Sequence, residues 1–188
     1  MSRQYWSEGL AWATANGTAV SNTATETILF PNITIPANYM QDGRVLRLKA
    51  YGRWSNTVTI ASTLTWRIRW GGVAGTVLFA SPAVITPATA TTDAIWSFEG
   101  LIQTRSNGSS GSLFAMGEVG IFEDAAPTFG TVTNYGVVMG GGSAGVATPA
   151  AVTVDLTADT ALSLTIQWDE TGASNSIQGH IYTVESLN

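Results

Sequence analysis

Hydrophobic and polar side chains alternate strictly along two segments between Arg44 and Gly72. A period of two residues places the two sets on opposite faces of a strand. The pattern therefore predicts two β-strands joined by a turn, each with an apolar face and a cationic face. The cationic face of the first strand carries Arg47, Lys49 and Arg53 together with Tyr51, and that of the second carries Arg67 and Arg69.

Further segments show the alternation or apolar runs typical of strands, and turn-forming residues separate them. The predicted strands are 26–35, 73–79, 94–105, 112–123, 135–139, 152–156, 161–168 and 177–187. Pro31 has no amide hydrogen to donate, which favours an edge strand or a bulge for 26–35. The segment 162–187 is predicted to form a closing hairpin.

This order of elements predicts an all-β fold with eight to ten strands, because no helical period lasts longer than a turn. Strands at such spacing form antiparallel sandwiches or barrels. The long connections at 81–92 and 124–150 favour a jelly-roll or Greek-key path over a simple meander. We therefore predict an antiparallel β-sandwich.

Residues 1–26 differ from the rest because they have no lasting period. They contain Trp6 and Trp12, separated by small and polar residues. One interpretation is an extended arm whose indoles dock onto the body or onto a neighbouring subunit. The other is a first short strand whose indoles complete the core, as buried aromatic residues commonly do. The predicted division is an arm at 1–26 and a sandwich domain at 27–188.

The composition of the chain argues against several classes of function. The chain has 188 residues, no cysteine, 11% charged residues and a formal net charge of −5. The acidic balance argues against general nucleic-acid binding, which needs a basic footprint. No segment resembles a signal peptide or approaches the ~18 apolar residues that a membrane span needs. We expect a soluble protein made inside the cell, with no nucleic-acid or membrane partner.

The titratable residues do not form a recognisable catalytic set. The carboxylate doublets Glu123-Asp124 and Asp169-Glu170 consist of sequence neighbours, whereas glycosidases need two carboxyls facing each other across a cleft. The single histidine, His180, lies on the closing strand with no nucleophile elbow elsewhere, and we expect it at the surface or an interface. We predict no enzymatic activity, no cofactor and no metal site.

The cations on the two predicted strands admit two interpretations. They form a patch that meets an acidic protein surface through bidentate arginine contacts, or they pair with neighbouring carboxylates such as Glu99, Glu118, Glu123 or Asp169. In a jelly roll the two strands can lie in opposite layers, which would split the patch. The candidate partner-binding residues are Trp6, Trp12, Arg47, Lys49, Arg53, Arg67 and Arg69.

Over residues 26–188 the chain resembles virion structural proteins of tailed bacteriophages, most of all jelly-roll capsid decoration (cement) proteins. The segments that carry the resemblance are FPNITIPANY at 30–39, DGRVLRL at 42–48, LTWRIRWGG at 64–72 and the closing segment 162–187.

The resemblance implies a homotrimer on the capsid exterior that clamps the major capsid protein, and it transfers no individual site residue. The alternative from another class is a receptor- or glycan-binding module of a phage tail or fibre. That alternative predicts exposed aromatic side chains clustered on loops, and binding to cells or polysaccharide rather than to capsids.

Overall fold

The computed structural model describes residues 7–56, 62–86, 90–122, 134–141 and 149–187. Regular structure in these ranges consists of fourteen β-strands. Their bounds are β1 Ser7–Trp12, β2 Val20–Ser21, β3 Thr27–Ile28, β4 Ile33–Ile35, β5 Val45–Asn56, β6 Thr63–Trp70, β7 Thr76–Ala80, β8 Val84–Ile85, β9 Thr91–Ser106, β10 Gly111–Phe122, β11 Asn134–Gly141, β12 Val152–Val154, β13 Thr160–Trp168 and β14 Ser176–Leu187.

The strands form two antiparallel layers of a sandwich. Layer one has the order β1-β14-β5-β9-β10-β11, with β2 beside β14 and β12 beside β10. Layer two has the order β7-β6-β13, with β3 and β4 on β13 and β8 on β6. Two residue pairs between β11 and β7 connect the layers along one side. The predicted all-β antiparallel sandwich is confirmed.

The chain changes layer repeatedly, as a Greek-key path requires. It passes from layer one to layer two between β5 and β6, and it returns between β7 and β9 and again between β13 and β14. Strands β9 and β10 form a hairpin and pair over most of their length. Pro31 lies between β3 and β4, both on the edge of layer two, as its missing amide hydrogen predicted.

Aromatic side chains from both layers fill the space between them. The rings of Trp66 and Trp96 lie 6.5 Å apart, and those of Phe79 and Phe98 lie 5.9 Å apart. Each pair joins a strand of layer two to β9 of layer one. The tryptophans in phase with aliphatic neighbours are buried as predicted, namely Trp54, Trp66, Trp70 and Trp168.

Glycines on the inner face of layer one make room for these rings. A Cβ at Gly52 would lie 1.9 Å from the carbonyl oxygen of Gln178 and 2.6 Å from Nε1 of Trp96. A Cβ at Gly179, paired with Gly52 across the β5–β14 ladder, would lie 2.2 Å from the ring of Phe30. The backbones of β5 and β14 are therefore packed against aromatic rings at this point.

Two details of the predicted path are wrong. Segment 162–187 is not a hairpin, because β13 pairs with β6 in layer two whereas β14 pairs with β5 and β1 in layer one. The described strands also number fourteen rather than eight to ten. The strands β5 and β6 lie in opposite layers, which is the arrangement that a jelly roll allows. Alternation reports which face of a strand is buried, but it does not report which strand lies beside it.

The N-terminal segment runs along the edge of layer one. Strand β1 pairs with β14 from Ser7 to Trp12, and β2 pairs with the start of β14. Trp12 is 63% exposed, so its indole does not complete the core. Trp6 lies outside the described residues, and the division of the chain at residue 26 stays a prediction.

We expect Gly52→Ala to lower the free energy of unfolding by about 3 kcal/mol, at the upper end of overpacking effects, because the new methyl group meets backbone and a buried indole. Urea unfolding followed by tryptophan fluorescence measures the change. The matched control is Gly9→Ala on β1, where a Cβ meets nothing closer than 3.7 Å. The control should change stability by less than about 0.5 kcal/mol, and equal effects of the two substitutions would contradict the packing argument.

Candidate functional site

The outer face of layer two is a network of hydrogen-bonded polar side chains. Glu26 receives hydrogen bonds from Nε of Arg69 at 2.5 Å, from Nη1 of Arg67 at 3.3 Å and from the hydroxyl of Thr165 at 2.5 Å. The side chains of the three charged residues are only 14–18% exposed. The two guanidinium groups share one carboxylate and are largely buried, which leaves little of them for a partner.

The electrostatics of this cluster shift the titration of its acid. Burial alone raises the pKa of Glu26, but the hydrogen bonds from Arg69 and Thr165 and the charges of Arg67 and Arg69 outweigh it. The net pKa of Glu26 is therefore below its ordinary value. The ionised carboxylate is the form that the folded protein stabilises.

The cations of β5 lie on the outer face of layer one, separated from Arg67 and Arg69 by the thickness of the sandwich. Arg47 donates from Nε to Glu185 at 2.9 Å, and Lys49 lies 3.2 Å from a carboxylate oxygen of Glu99. The structure thus places the five predicted cations on opposite faces. Four of them have carboxylate partners, and Glu99 is one that the pairing interpretation named.

Exposed apolar side chains are concentrated on the outer face of layer one. Of the seven large hydrophobic residues exposed in the described part of the chain, six lie there. They are Trp12, Tyr51, Ile95, Leu101, Met116 and Ile181. The seventh, Val73, lies in the loop between β6 and β7. Contiguous exposed apolar surface of this kind marks interaction sites, so we take this face, called the layer-one face below, as the candidate site.

Strand pairing fixes how these side chains are arranged. Ile181 on β14 is directly opposite Tyr51 on β5, and Trp12 lies on β1, the next strand beyond β14. On the other side of the face, Leu101 is directly opposite Met116. Side chains directly opposite or diagonal across adjacent strands are within contact range. The aromatic residues Trp12 and Tyr51 therefore belong to one continuous surface.

Two polar hollows lie on this face, and Tyr51 lines one of them. The first, here the central hollow, has a volume of about 200 Å³, and Ser97, Glu99, Glu118 and Gly120 line it together with Tyr51. It exists because Ser97 and Gly120, which pair across β9 and β10, fill little space. Its two carboxylates are acceptors for hydroxyl groups.

The second hollow, here the terminal pocket, has a volume of about 420 Å³ at the end of β5 and the start of β14. Its polar side chains come from β5, β9, β14 and the turn before β14. They are Arg53, Ser55, Asp93, Ser176, Gln178 and His180. Most of these residue types can donate a hydrogen bond to a ligand.

A β-bulge directs His180 towards this pocket. The β5–β14 register shifts between Gly179 and Ile181, which leaves His180 as the additional residue on β14. Bulges of this kind change the direction of a side chain and recur beside functional sites. The bulge is fixed from the inside, because the indole Nε1 of Trp96 donates to the carbonyl of Gln178 at 3.1 Å.

Other parts of the described chain offer less chemistry. A hollow of about 500 Å³ beside residues 16–18 and 27–31 has no charged side chain in its lining. Within the described ranges, no group of three or more His, Cys, Asp or Glu residues is arranged to hold a metal ion. No helix long and apolar enough to cross a membrane occurs in those ranges.

Sequence reasoning named four residues of this face, Trp12, Arg47, Lys49 and Arg53. It missed Tyr51 and His180 as site residues. The position of Tyr51 contains a signal, since an aromatic residue in phase with cations on a half-buried strand must face outwards. His180 has no such signal, because only the bulge sets its direction. The carboxylates of the central hollow come from β9 and β10, and alternation does not reveal that these strands lie beside β5.

Comparison with known proteins adds little. No family model and no curated protein matches the chain. Among solved structures it is similar to the CBM2 module of the evolved Dit of Lactobacillus casei BL23 phage J-1, at 10% identity, over 99% of this chain and 98% of that chain, with a TM-score of 0.38. A likeness at that identity and TM-score carries no argument about what this chain does.

We expect Glu26→Gln to destabilise the fold by roughly 1–3 kcal/mol at pH 7, because two largely buried guanidinium groups lose their shared carboxylate. Glu99→Gln on the layer-one face is the matched control. Glu99 is 42% exposed beside Lys49, so its loss should cost less than about 1 kcal/mol. Urea midpoints of the two variants and the wild type provide the comparison.

The same carboxyl should make part of the stability depend on pH. Because the pKa of Glu26 is lowered in the folded state, its contribution is complete above the unfolded-state value of 4.5 and is lost as the pH falls through the lower folded-state value. Unfolding free energies measured between pH 7 and pH 3 should therefore decline less steeply in Glu26→Gln than in the wild type. Parallel curves would contradict this assignment.

Proposed function

We propose that this chain is a non-enzymatic carbohydrate-binding module of a phage tail or fibre and that it binds glycan on the layer-one face. The observation that carries the proposal is the exposed ring of Tyr51 in the lining of the polar central hollow. A sugar ring has an apolar face of C–H groups and a polar rim of hydroxyls. An exposed aromatic ring beside hydrogen-bonding side chains complements both parts.

The dimensions of the face suit more than one sugar ring. Trp12 and Tyr51 lie two strands apart, a lateral separation of about 10 Å, which is roughly the length of a disaccharide. In this arrangement one ring stacks on Tyr51 and places its hydroxyls beside Glu99 and Glu118. A neighbouring ring extends over Ile181 towards Trp12.

The assignment to a virion is supported by the resemblance of residues 26–188 to structural proteins of tailed phages. The location in a tail or fibre is supported by the layer-one face, because a module that recognises a host surface needs an exposed binding site. The proposal involves no catalytic step, in agreement with the lack of a recognisable catalytic set in the sequence.

A second candidate is a capsid decoration protein that binds the major capsid protein as a homotrimer. The observation that favours it is the aliphatic part of the same face, since Leu101, Met116 and the two isoleucines suit a protein surface better than a sugar. The predicted cationic contacts give it less support, because Arg47, Lys49, Arg67 and Arg69 already have partners within the chain.

We expect Tyr51→Ala to reduce glycan binding at least tenfold, since the loss of one stacking aromatic ring at a binding site removes more than about 1.4 kcal/mol. Binding is measured by retention of the purified chain on host cells and on their extracted surface polysaccharide, followed by calorimetry. Val73→Ala, which truncates the exposed hydrophobic residue outside this face, should bind as the wild type does.

The same preparations distinguish the two candidates. Retention on polysaccharide that depends on Tyr51, without co-sedimentation with undecorated capsids, supports the glycan-binding module. Co-sedimentation with capsids as a trimer, without retention on cells or polysaccharide, would overturn it in favour of the decoration protein.

A further inference from the structure

We propose that the terminal pocket binds an anionic substituent of the glycan, a carboxylate or a phosphate. This inference rests on the proposed glycan-binding function and adds a chemical class of ligand to it. Charge, hydrogen-bonding capacity and backbone geometry in the pocket each contribute to the argument.

Among the five predicted cations, Arg53 has no carboxylate partner in the described part of the chain. It donates from Nη1 to the backbone carbonyl of Asp93 at 2.5 Å. That bond orients the guanidinium but does not neutralise it. Because Arg47 and Lys49 on the same strand are paired, Arg53 is the cation of β5 whose charge remains available to a ligand. A guanidinium with free N–H groups is suited to bidentate recognition of a carboxylate or phosphate.

Additional donors line the same pocket. Ser55 accepts a hydrogen bond from the amide of Asp93 at 3.0 Å, which leaves its hydroxyl proton for a ligand. His180 lines the opposite side, and its imidazole has no hydrogen-bond partner in the described chain. The side-chain amide nitrogen of Gln178 donates to the backbone carbonyl of Gly17 at 2.9 Å, which holds the adjacent loop in place. The pocket is therefore preformed by contacts within the chain.

Asp93 is the single acid in the described lining of the pocket. Its φ of 54° is in the left-handed region, which a non-glycine residue seldom adopts and which recurs at functional sites. Its carboxylate accepts no hydrogen bond in the described chain. The negative charge of Asp93 opposes an anionic ligand and favours a neutral or cationic one. Removal of that charge therefore distinguishes the two kinds of ligand.

The experiment is an NMR titration of the full chain with D-galacturonate, with its neutral methyl ester and with inorganic phosphate. We expect galacturonate or phosphate to shift the side-chain resonances of Arg53 and His180, whereas the ester shifts neither. Arg53→Gln should weaken anion binding about tenfold, as the loss of a charge-assisted contact predicts. Tighter binding of phosphate than of galacturonate indicates a phosphate-bearing glycan, and the reverse indicates an acidic sugar.

The matched control is Arg105→Gln, which removes an equal charge from the other end of β9. Arg105 stacks on the ring of Phe114 at 3.9 Å, so its loss should not change anion binding. Asp93→Asn should strengthen anion binding several-fold, because the repulsion is removed while the shape is kept. Arg53→Lys, which keeps the charge but not the planar fork, should bind with intermediate affinity and serves if Arg53→Gln does not fold.

The inference is overturned if neither anion shifts Arg53 or His180 at concentrations up to about 100 mM, if the ester binds as well as the acid, or if Asp93→Asn weakens anion binding. Each outcome is distinguishable from failure of the proposed function. Glycan retention that depends on Tyr51 but does not discriminate between acid and ester would overturn the anionic pocket alone. Absence of any retention on polysaccharide would overturn the proposed function.

Discussion

The contact between the Trp96 indole and the paired backbones of β5 and β14 is the constraint on which the rest of the structure depends. The ring occupies the space beside Gly52, where a Cβ would lie 2.6 Å from Nε1. The same nitrogen donates to the carbonyl of Gln178, next to the bulge in β14. The buried side chain of Trp96 thereby links the core to the β5–β14 strand pair and fixes the point at which the register of that pair shifts. The direction of His180 and the shape of the terminal pocket follow from it.

Charged residues are buried and paired to different degrees on the two outer faces. In layer two, Arg67 and Arg69 share the carboxylate of Glu26, and all three side chains are largely buried. In layer one, the ion pairs of β5 leave apolar side chains and Arg53 exposed between them. A mixed surface of this kind costs less to desolvate than an unpaired cationic stripe, because paired charges have already lost much of their hydration. This difference explains why the layer-one face is the better candidate for binding.

The sequence predicted much of the fold and only part of the site. Alternation identified the apolar inner faces of β5 and β6 correctly. It did not identify β13 and β14 as members of different layers, and it gave no reason to place Glu99 and Glu118 beside Tyr51. Among the candidate residues, Trp12 and Arg53 lie on the proposed binding face, whereas Arg67 and Arg69 lie on the opposite face.

By itself, the sequence determined that the chain forms an antiparallel β-sandwich and which side of most strands is buried. The period of two and the position of glycine and proline are local properties, so they can be recognised without knowledge of the partner strands. Only the tertiary structure decided which strands are neighbours, which cations find carboxylates and where His180 points. These features depend on contacts between residues far apart in the chain, such as Glu26 with Arg69 and Trp96 with Gln178. Pairing across such distances is selected by packing of the whole core.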